Sequence, residues 1–242
     1  MKMAFRYSIV IVLSTVFFGA FGKPPKKLSE TNLKLSTYSA PFDFHGIQLG
    51  STMKQFYGAQ QPDFDNGSNL HQHDAKSVCS NGVTPLPTGI HHDPIDEQYG
   101  GGACGWGFDL LGDGHLNEAF FRVGDEIAVG VFRYIAMPGE DQAKLYQIHI
   151  QVPNDAMDSI VNGLTSKFGA PTERRIEQWQ NKIGGRFDNI ILIWKNAVSQ
   201  IIFRQLALSI DEGSIDYILT DHYVYKNSFK QITDQARDAG NM

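Results

Sequence analysis

The stretch KLYQIHIQVPNDAMDSIVNGLTSKFGAP, residues 144–171, places a strand and a helix end to end, and its reading decides the fold. Tyr146, Ile148, Ile150 and Val152 alternate with Gln147, His149 and Gln151. Successive side chains of a strand point to opposite faces, so this period of two predicts a half-buried strand over 144–152. Beyond Pro153 the period changes. Met157, Ile160, Val161, Leu164 and Phe168 recur at helical spacing, which predicts a helix over 154–167 with one apolar face. Asn154 or Asp155 is suited to cap its start. Gly169 suits the residue of positive φ at its end, and Pro171 stops any continuation.

The flanking sequence is rich in strand signals. Runs over 119–123 and 126–136 are separated by Gly124-Asp125, the signature of a tight hairpin turn. Further runs lie at 176–182, 189–194, 198–206 and 214–225, with Lys195-Asn196 as a turn between the second and third. Ile190 through Trp194 is apolar without alternation, which predicts a central strand covered on both faces. Nearer the N-terminus, 42–49 reads as a short strand. Ser51 or Thr52 then caps a brief helix with Met53, Phe56 and Tyr57 on one face. The expected class is α+β: a mostly antiparallel sheet with one or two helices packed on one face.

Between Gln60 and about Leu116 no period holds, and Gly, Pro, Asn, Asp and His are dense. This reads as a long irregular loop, and a loop of that length in a compact domain is functional or partly disordered. The only two cysteines, Cys79 and Cys104, lie within it. An even count in an exported chain favours a disulfide. Closing a loop of this size removes roughly 3–4 kcal/mol of unfolded-state entropy.

The segments Gly46-Ile47-Gln48-Leu49-Gly50, before a capped helix, and residues 164–171, at a helix end, resemble small periplasmic proteins. They look like the SmpA-type outer-membrane assembly lipoproteins and the β-lactamase inhibitor proteins. The resemblance implies helices paired with a strand meander and a role in binding other proteins. This chain departs from the lipoproteins in lacking an acylated Cys, and from both families in its long irregular insertion. No functional residue carries over.

The first residues have the order of a cleavable export signal. Lys2 and Arg6 precede a charge-free apolar run from Tyr7 to Phe21, and small residues stand at Ala20 and Gly22. The run is shorter than the roughly 20 residues that span a bilayer, so no integral membrane segment is expected after cleavage. The expected organisation is a signal peptide over 1–22, a flexible linker over 23–40, one domain over 41–230 and a polar tail over 231–242. Loss of Lys2 and Arg6 leaves 19 basic against 26 acidic residues, a formal charge of −7. That balance argues against nucleic acid or an anionic membrane surface as partner, since both demand clustered Lys and Arg.

The chemistry-bearing residues gather in the irregular segment. His71 and His73 flank Gln72, and His91-His92 follow about twenty residues on, with Asp74, Asp93, Asp113 and His115 nearby. Imidazoles and carboxylates on a loop closed by a disulfide are the donor types zinc takes, about four at a time. The spacing matches no defined zinc signature, and a solvated loop is the default reading. The run from Asp109 to Gly114 fails as a calcium loop, because Leu111 and Phe120 stand where oxygen ligands are needed. Gln98 and Cys104 have the separation of a papain-like oxyanion-hole Gln and nucleophile, with His222 and Asn227 downstream. Gly105, however, stands where that family has Trp. The Trp residues 106, 179 and 194 read as core, with a ligand groove as the other option.

The reading that results is an exported protein, periplasmic or secreted. It is expected to bind a protein or envelope partner without catalysis and to need no cofactor. The alternative is a zinc- or Cys-dependent hydrolase using the loop 71–115. Intact mass of the exported protein checks the first step. The expected product begins at Lys23, is two hydrogens lighter than its reduced form and carries no metal under native conditions.

Overall fold

The structure, a computed structural model, describes residues 36–62, 75–80, 85–91, 96–97, 99–109, 111–124, 126–136, 139–180, 184–207 and 209–221. All fall within the unit Leu33–Met242. The first strands are β1 (Asp43–Phe44), β2 (Ile47–Gln48), β3 (Lys76–Ser80), β4 (Gly102–Asp109), β5 (Leu116–Glu118) and β6 (Phe121–Val123). They are followed by β7 (Glu126–Ile135), β8 (Lys144–Pro153), β9 (Glu173–Gln180), β10 (Arg186–Lys195), β11 (Ser199–Arg204) and β12 (Glu212–Leu219). The helices are α1 (Met53–Tyr57) and α2 (Met157–Phe168), the second entered through a 3-10 turn at Asn154–Ala156.

β1 and β2 form a hairpin of their own. The other ten strands make one sheet in the order β3-β4-β7-β8-β12-β11-β10-β9, with β5 on β4 and β6 on β7. Every pairing is antiparallel. α2 leads from the end of β8 to β9 at the far edge, and the meander from β9 then returns until β12 pairs with β8. Among the described residues the fold is therefore mainly antiparallel sheet with a small helical share, the coarse form of the expected class.

Residues directly opposite one another on antiparallel strands share a face, so the register identifies the core. Cys79, Cys104, Phe132, Ile148, Tyr217, Ile201 and Trp194 stand opposite one another across seven strands. All are buried. Phe56 of α1 lies over this row, its ring 4.9 Å from Phe132 and 5.2 Å from Trp106. Phe44 approaches Phe132 and Tyr217 at 6.3 and 6.0 Å. α2 contributes Ile160, Leu164 and Phe168 to the same core, and Phe168 meets Phe42 edge-on at 4.9 Å. The Trp194 indole donates to the Gly169 carbonyl at 2.8 Å, which fastens the end of α2 to β10. Both helices thus cover one face, each large side chain contributing on the order of 1.5–3 kcal/mol through burial.

Several sequence expectations change. The stretch 60–116 is not irregular throughout, because it holds β3 and β4. The glycines of β4 hid the strand, and they are there because a neighbour occupies the space. A Cβ on Gly105 would lie 2.3 Å from Ile90 Cδ1, and one on Gly107 would lie 2.5 Å from Pro87 Cγ. The stretch 42–49 is not one strand but the β1–β2 hairpin, turning at His45 (φ 47°) and Gly46 (φ 80°). β10 is not central but next to the edge strand β9. Neither Asn154 nor Asp155 caps α2; the N-cap is Ala156 with no side-chain bond. Asn154 instead donates from Nδ2 to the Ile210 carbonyl at 2.9 Å, tying the 3-10 turn to the approach to β12. The caps of α1 and the end of α2 match: Thr52 and Gln55 form a capping box, and Gly169 has φ 84°.

Residues 36–40, assigned by composition to the linker, are joined to the domain. Ser36 donates from its amide to the Lys195 carbonyl at 2.8 Å and from Oγ to Phe168 at 3.1 Å. Asn196 binds the Ala40 carbonyl at 2.7 Å while its Oδ1 accepts from Ser199 N at 2.7 Å. The expected signal peptide over 1–22 and tail over 231–242 lie outside the described residues.

Phe132 sits at the centre of the opposed row with no exposed surface. Phe132→Ala is expected to cost about 3–5 kcal/mol, read from urea unfolding followed by near-ultraviolet circular dichroism.

Candidate functional site

The pleat that directs Phe132, Ile148 and Tyr217 into the core directs Arg133, Gln147, His149 and Asp216 to the other face of the sheet. These residues are adjacent by register. Arg133 stands opposite Gln147 and His149 opposite Asp216. Arg204, opposite Ser214, is diagonal to Asp216. On β8 this is the polar half of the alternation that first revealed the strand.

The side chains form a continuous network. Arg133 Nε donates to Asp96 Oδ2 at 2.9 Å and its Nη1 to Gln147 Oε1 at 3.0 Å. Gln147 Nε2 donates to Asp216 Oδ1 at 3.3 Å. His149 Nδ1 lies 2.8 Å from the same oxygen, and Arg204 Nη1 donates to Asp216 Oδ2 at 2.6 Å. At the other end the Tyr146 hydroxyl donates to Asp96 Oδ1 at 2.7 Å. Both carboxylates are buried, whereas the His149 and Arg204 side chains are 39% and 36% exposed. Burial alone would raise the pKa of Asp216. The hydrogen bond and charge of His149, the charge of Arg204 and the Gln147 amide outweigh it and hold the carboxyl below its ordinary value.

Asp96 comes from the segment between the two cysteines, and the disulfide explains how it is held there. Cys79 and Cys104 are bonded and stand directly opposite on β3 and β4, with Cα atoms 4.0 Å apart. The described part 85–91 of the enclosed chain lies against the second face of the sheet. Pro87 and Ile90 occupy the spaces left by Gly107 and Gly105, which lie on the opposite pleat from Cys104 and Trp106. Thr88 bridges to Asn117 of β5. The Gly101 amide donates to the Asp96 carbonyl at 2.7 Å, just before β4 begins.

The structure places the sequence candidates as follows. Cys79 and Cys104 form the expected disulfide, so the nucleophile of the papain-like reading has its sulfur in a bond. His91 is exposed at the end of the segment 85–91. His71, His73, His92, Gln98, His222 and Asn227 lie outside the described residues. Among the described residues no group of three or more His, Cys, Asp or Glu is placed to hold a metal. His115 Nε2 lies 3.2 Å from Thr88 Oγ1. Asp109 accepts from the amides of Gly112 and Gly114 at 2.7 and 2.8 Å, which explains the calcium-like run as a turn closing β4 onto β5. Trp106 and Trp194 are core.

Asp96, Arg133, Arg204 and Asp216 were missed as a set because they are spread over 120 residues of sequence, from 96 to 216. Only Gln147 and His149, on the polar side of a clear alternation, marked the face in advance. Comparison of the chain with family models, with curated proteins and with solved structures finds no match.

Chemically, the network presents two guanidinium groups, an amide and an imidazole in fixed positions. Nδ1 of His149 is engaged by Asp216, which leaves Nε2 as its outward group. Asp216 thus fixes the orientation of the His149 ring.

A third carboxylate lies apart from the network. Glu118 lines an open cleft with Phe120, Ile127, Asp211 and Glu212, and its Oε2 lies where a Cβ on Gly89 would stand, 2.7 Å away. Burial pushes its pKa up to about 7, from an ordinary 4.5. The folded chain therefore holds a proton there that the unfolded chain releases. The group's cost to stability grows from pH about 4.5 to about 7 and persists in full above. Asp216 acts in the opposite sense. Its contribution is complete above the ordinary 3.8 and is lost as the pH falls through its lower folded value. Glu118→Gln is expected to match the parent at pH 4 and exceed its stability at pH 8, measured by urea unfolding at the two values. Asp216→Asn is expected to be less stable than the parent at pH 8.

Proposed function

We propose that the protein works outside the cytoplasm as a non-enzymatic binding module. It grips a protein or envelope partner with the second face of its sheet and the disulfide-closed segment beside it. The observation that carries this reading is the network running unbroken from Asp96 through Arg133, Gln147 and Asp216 to His149 and Arg204. Side chains already fixed by mutual bonds lose little rotamer freedom when a partner arrives, and that loss costs about 0.5–1.5 kcal/mol per flexible side chain elsewhere. Arg is also among the residue types that dominate binding energies at interfaces.

The disulfide supports a place in an oxidising compartment. Among the described residues no helix is long and apolar enough to cross a membrane. The signal-like first residues agree with export, and the acidic balance disfavours nucleic acid.

A photoreactive amino acid substituted at Gln151, next to His149 on the same face, tests the reading in the exporting cell. One at Leu111, which is 79% exposed on the β4–β5 turn, serves as control. The expected result is a discrete crosslinked species from position 151 and none from 111. Arg204→Glu is expected to remove that species while leaving the circular dichroism spectrum unchanged. Equal crosslinking at both positions, or a species indifferent to Arg204→Glu, overturns the assignment of this face.

A further inference from the structure

The two margins of the ten-stranded sheet are finished differently. At one, β3 has five residues, and the Cys79 amide donates to the Tyr57 hydroxyl of α1 at 3.0 Å. At the other, β9 has eight residues, ERRIEQWQ, and among the described residues no strand pairs with its outer side. Residues 174–178 are all exposed, and Ile176 keeps 54% of its surface. A long edge of that kind offers a row of main-chain donors and acceptors to a further strand.

The register identifies which groups face outward. The Gln205 amide donates to the Ile190 carbonyl at 2.9 Å, so Ile190 turns its main-chain groups toward β11. Those groups alternate sides along a strand, so Asn189 and Ile191 turn theirs toward β9. They stand opposite Glu177 and Arg175, which therefore bond inward. Arg174, Ile176 and Gln178 are left with amides and carbonyls aimed away from the sheet.

The side chains of this edge are not those of a protected strand. Protected edges carry Lys, Pro or a bulge that keeps a second strand away. β9 has no Lys, no Pro and no register shift, and its two Glu and two Arg sum to zero. Their order favours one partner. A two-fold axis that sets a strand antiparallel to its own copy runs perpendicular to the sheet. It keeps every side chain on its own face, so one residue opposes itself at the axis. Two registers overlap the strands most fully. With Glu177 at the axis, Glu meets Glu. With Ile176 there, each Arg175 meets the other copy's Glu177, each Arg174 meets Gln178, and Ile176 meets Ile176. A shift to Arg175 sets Arg on Arg and Glu173 on Glu177, and a shift to Gln178 pairs no charges. The main-chain groups allow any of these registers, and the charges choose the one at Ile176. Ile176 also stands opposite Ile190, so that register aligns four isoleucines across four strands and covers the most exposed apolar side chain of β9.

We propose that β9 pairs antiparallel with β9 of a second copy of this chain, about a two-fold axis at Ile176, joining the two sheets into one. The axis keeps each face on its own side, so the polar networks of both copies look out in the same direction. A partner that repeats its binding surface is then held through both at once, which raises the effective affinity without a new contact. The dimer does not rest on the binding role proposed above and is tested apart from it.

Sedimentation velocity over a range of protein concentrations provides the test. The protein is expected to pass from monomer to dimer between about 1 μM and 1 mM, as suits a small interface. Arg175→Glu and Glu177→Arg are each expected to weaken self-association about 10-fold, since each sets two like-charge pairs across the axis. Mixed in equal amounts, the two variants are expected to form a heterodimer at least as tight as the parent dimer, because every opposed pair is again of opposite charge. Ile176→Pro removes an outward amide and leaves the β10 ladder whole, so it is expected to yield a monomer with the parent's circular dichroism spectrum. A monomer at every concentration, or a dimer untouched by folded Ile176→Pro, overturns the edge as the interface. Charge variants that associate with each other no better than with themselves overturn the register.

Discussion

Everything in this fold leans on one line of residues facing one another across the sheet, from Cys79 through Phe132, Ile148 and Tyr217 to Trp194. The two helices are short, and a helix of five residues such as α1 has no stability of its own. It forms because Phe56 has Trp106 and Phe132 to rest on. The β1–β2 hairpin, two residues to a strand, is in the same position and depends on Phe44 reaching the row. The line ends in a covalent bond on β3–β4 and in an indole hydrogen bond on β10, so both ends of the line are tied.

The opposite face carries charge because the first face is dry. With the core settled beneath them, Arg133, Gln147 and Asp216 are spaced by the strands themselves rather than by loops. The two buried carboxylates are tolerable only because each has several donors. Removal of one partner from such a set leaves an uncompensated buried charge and costs more than the pair contributes. This coupling makes the network stiff, and it also binds the disulfide-closed segment to the sheet through Asp96. The bond between the cysteines and the ion pair at Arg133 hold the same piece of chain from two sides.

The regular parts of this architecture were legible in sequence for a simple reason: β8 and α2 have one wet and one dry side, and their periods show it. The end of α2 at Gly169 and the capping box at Thr52 were legible because the local chemistry decides them. β4 was not, since Gly105 and Gly107 erase the alternation, and only the presence of Ile90 and Pro87 on that face gives them meaning. The cap of α2 was misread because Asn154 has a better use, bonding to Ile210 more than fifty residues away. The polar network was half visible. Gln147 and His149 marked its face, but which charges meet them is settled by the insertion of β12 beside β8, and pairing over that distance leaves no local trace.

The late position of β12 has a consequence for how the chain folds. β8 is complete at residue 153, yet its partner on one side does not exist until residues 212–219 have been made. Until then β8 offers an open edge in the middle of what will become a continuous sheet, and the meander that begins at β9 has nothing to dock against. The two halves must therefore close together in a single late event that joins distant parts of the chain. Folding of this kind is slow, because the entropy of closing a long loop is lost before the contacts that compensate it are made. A nascent chain with this topology keeps that edge of β8 open until β12 has left the ribosome.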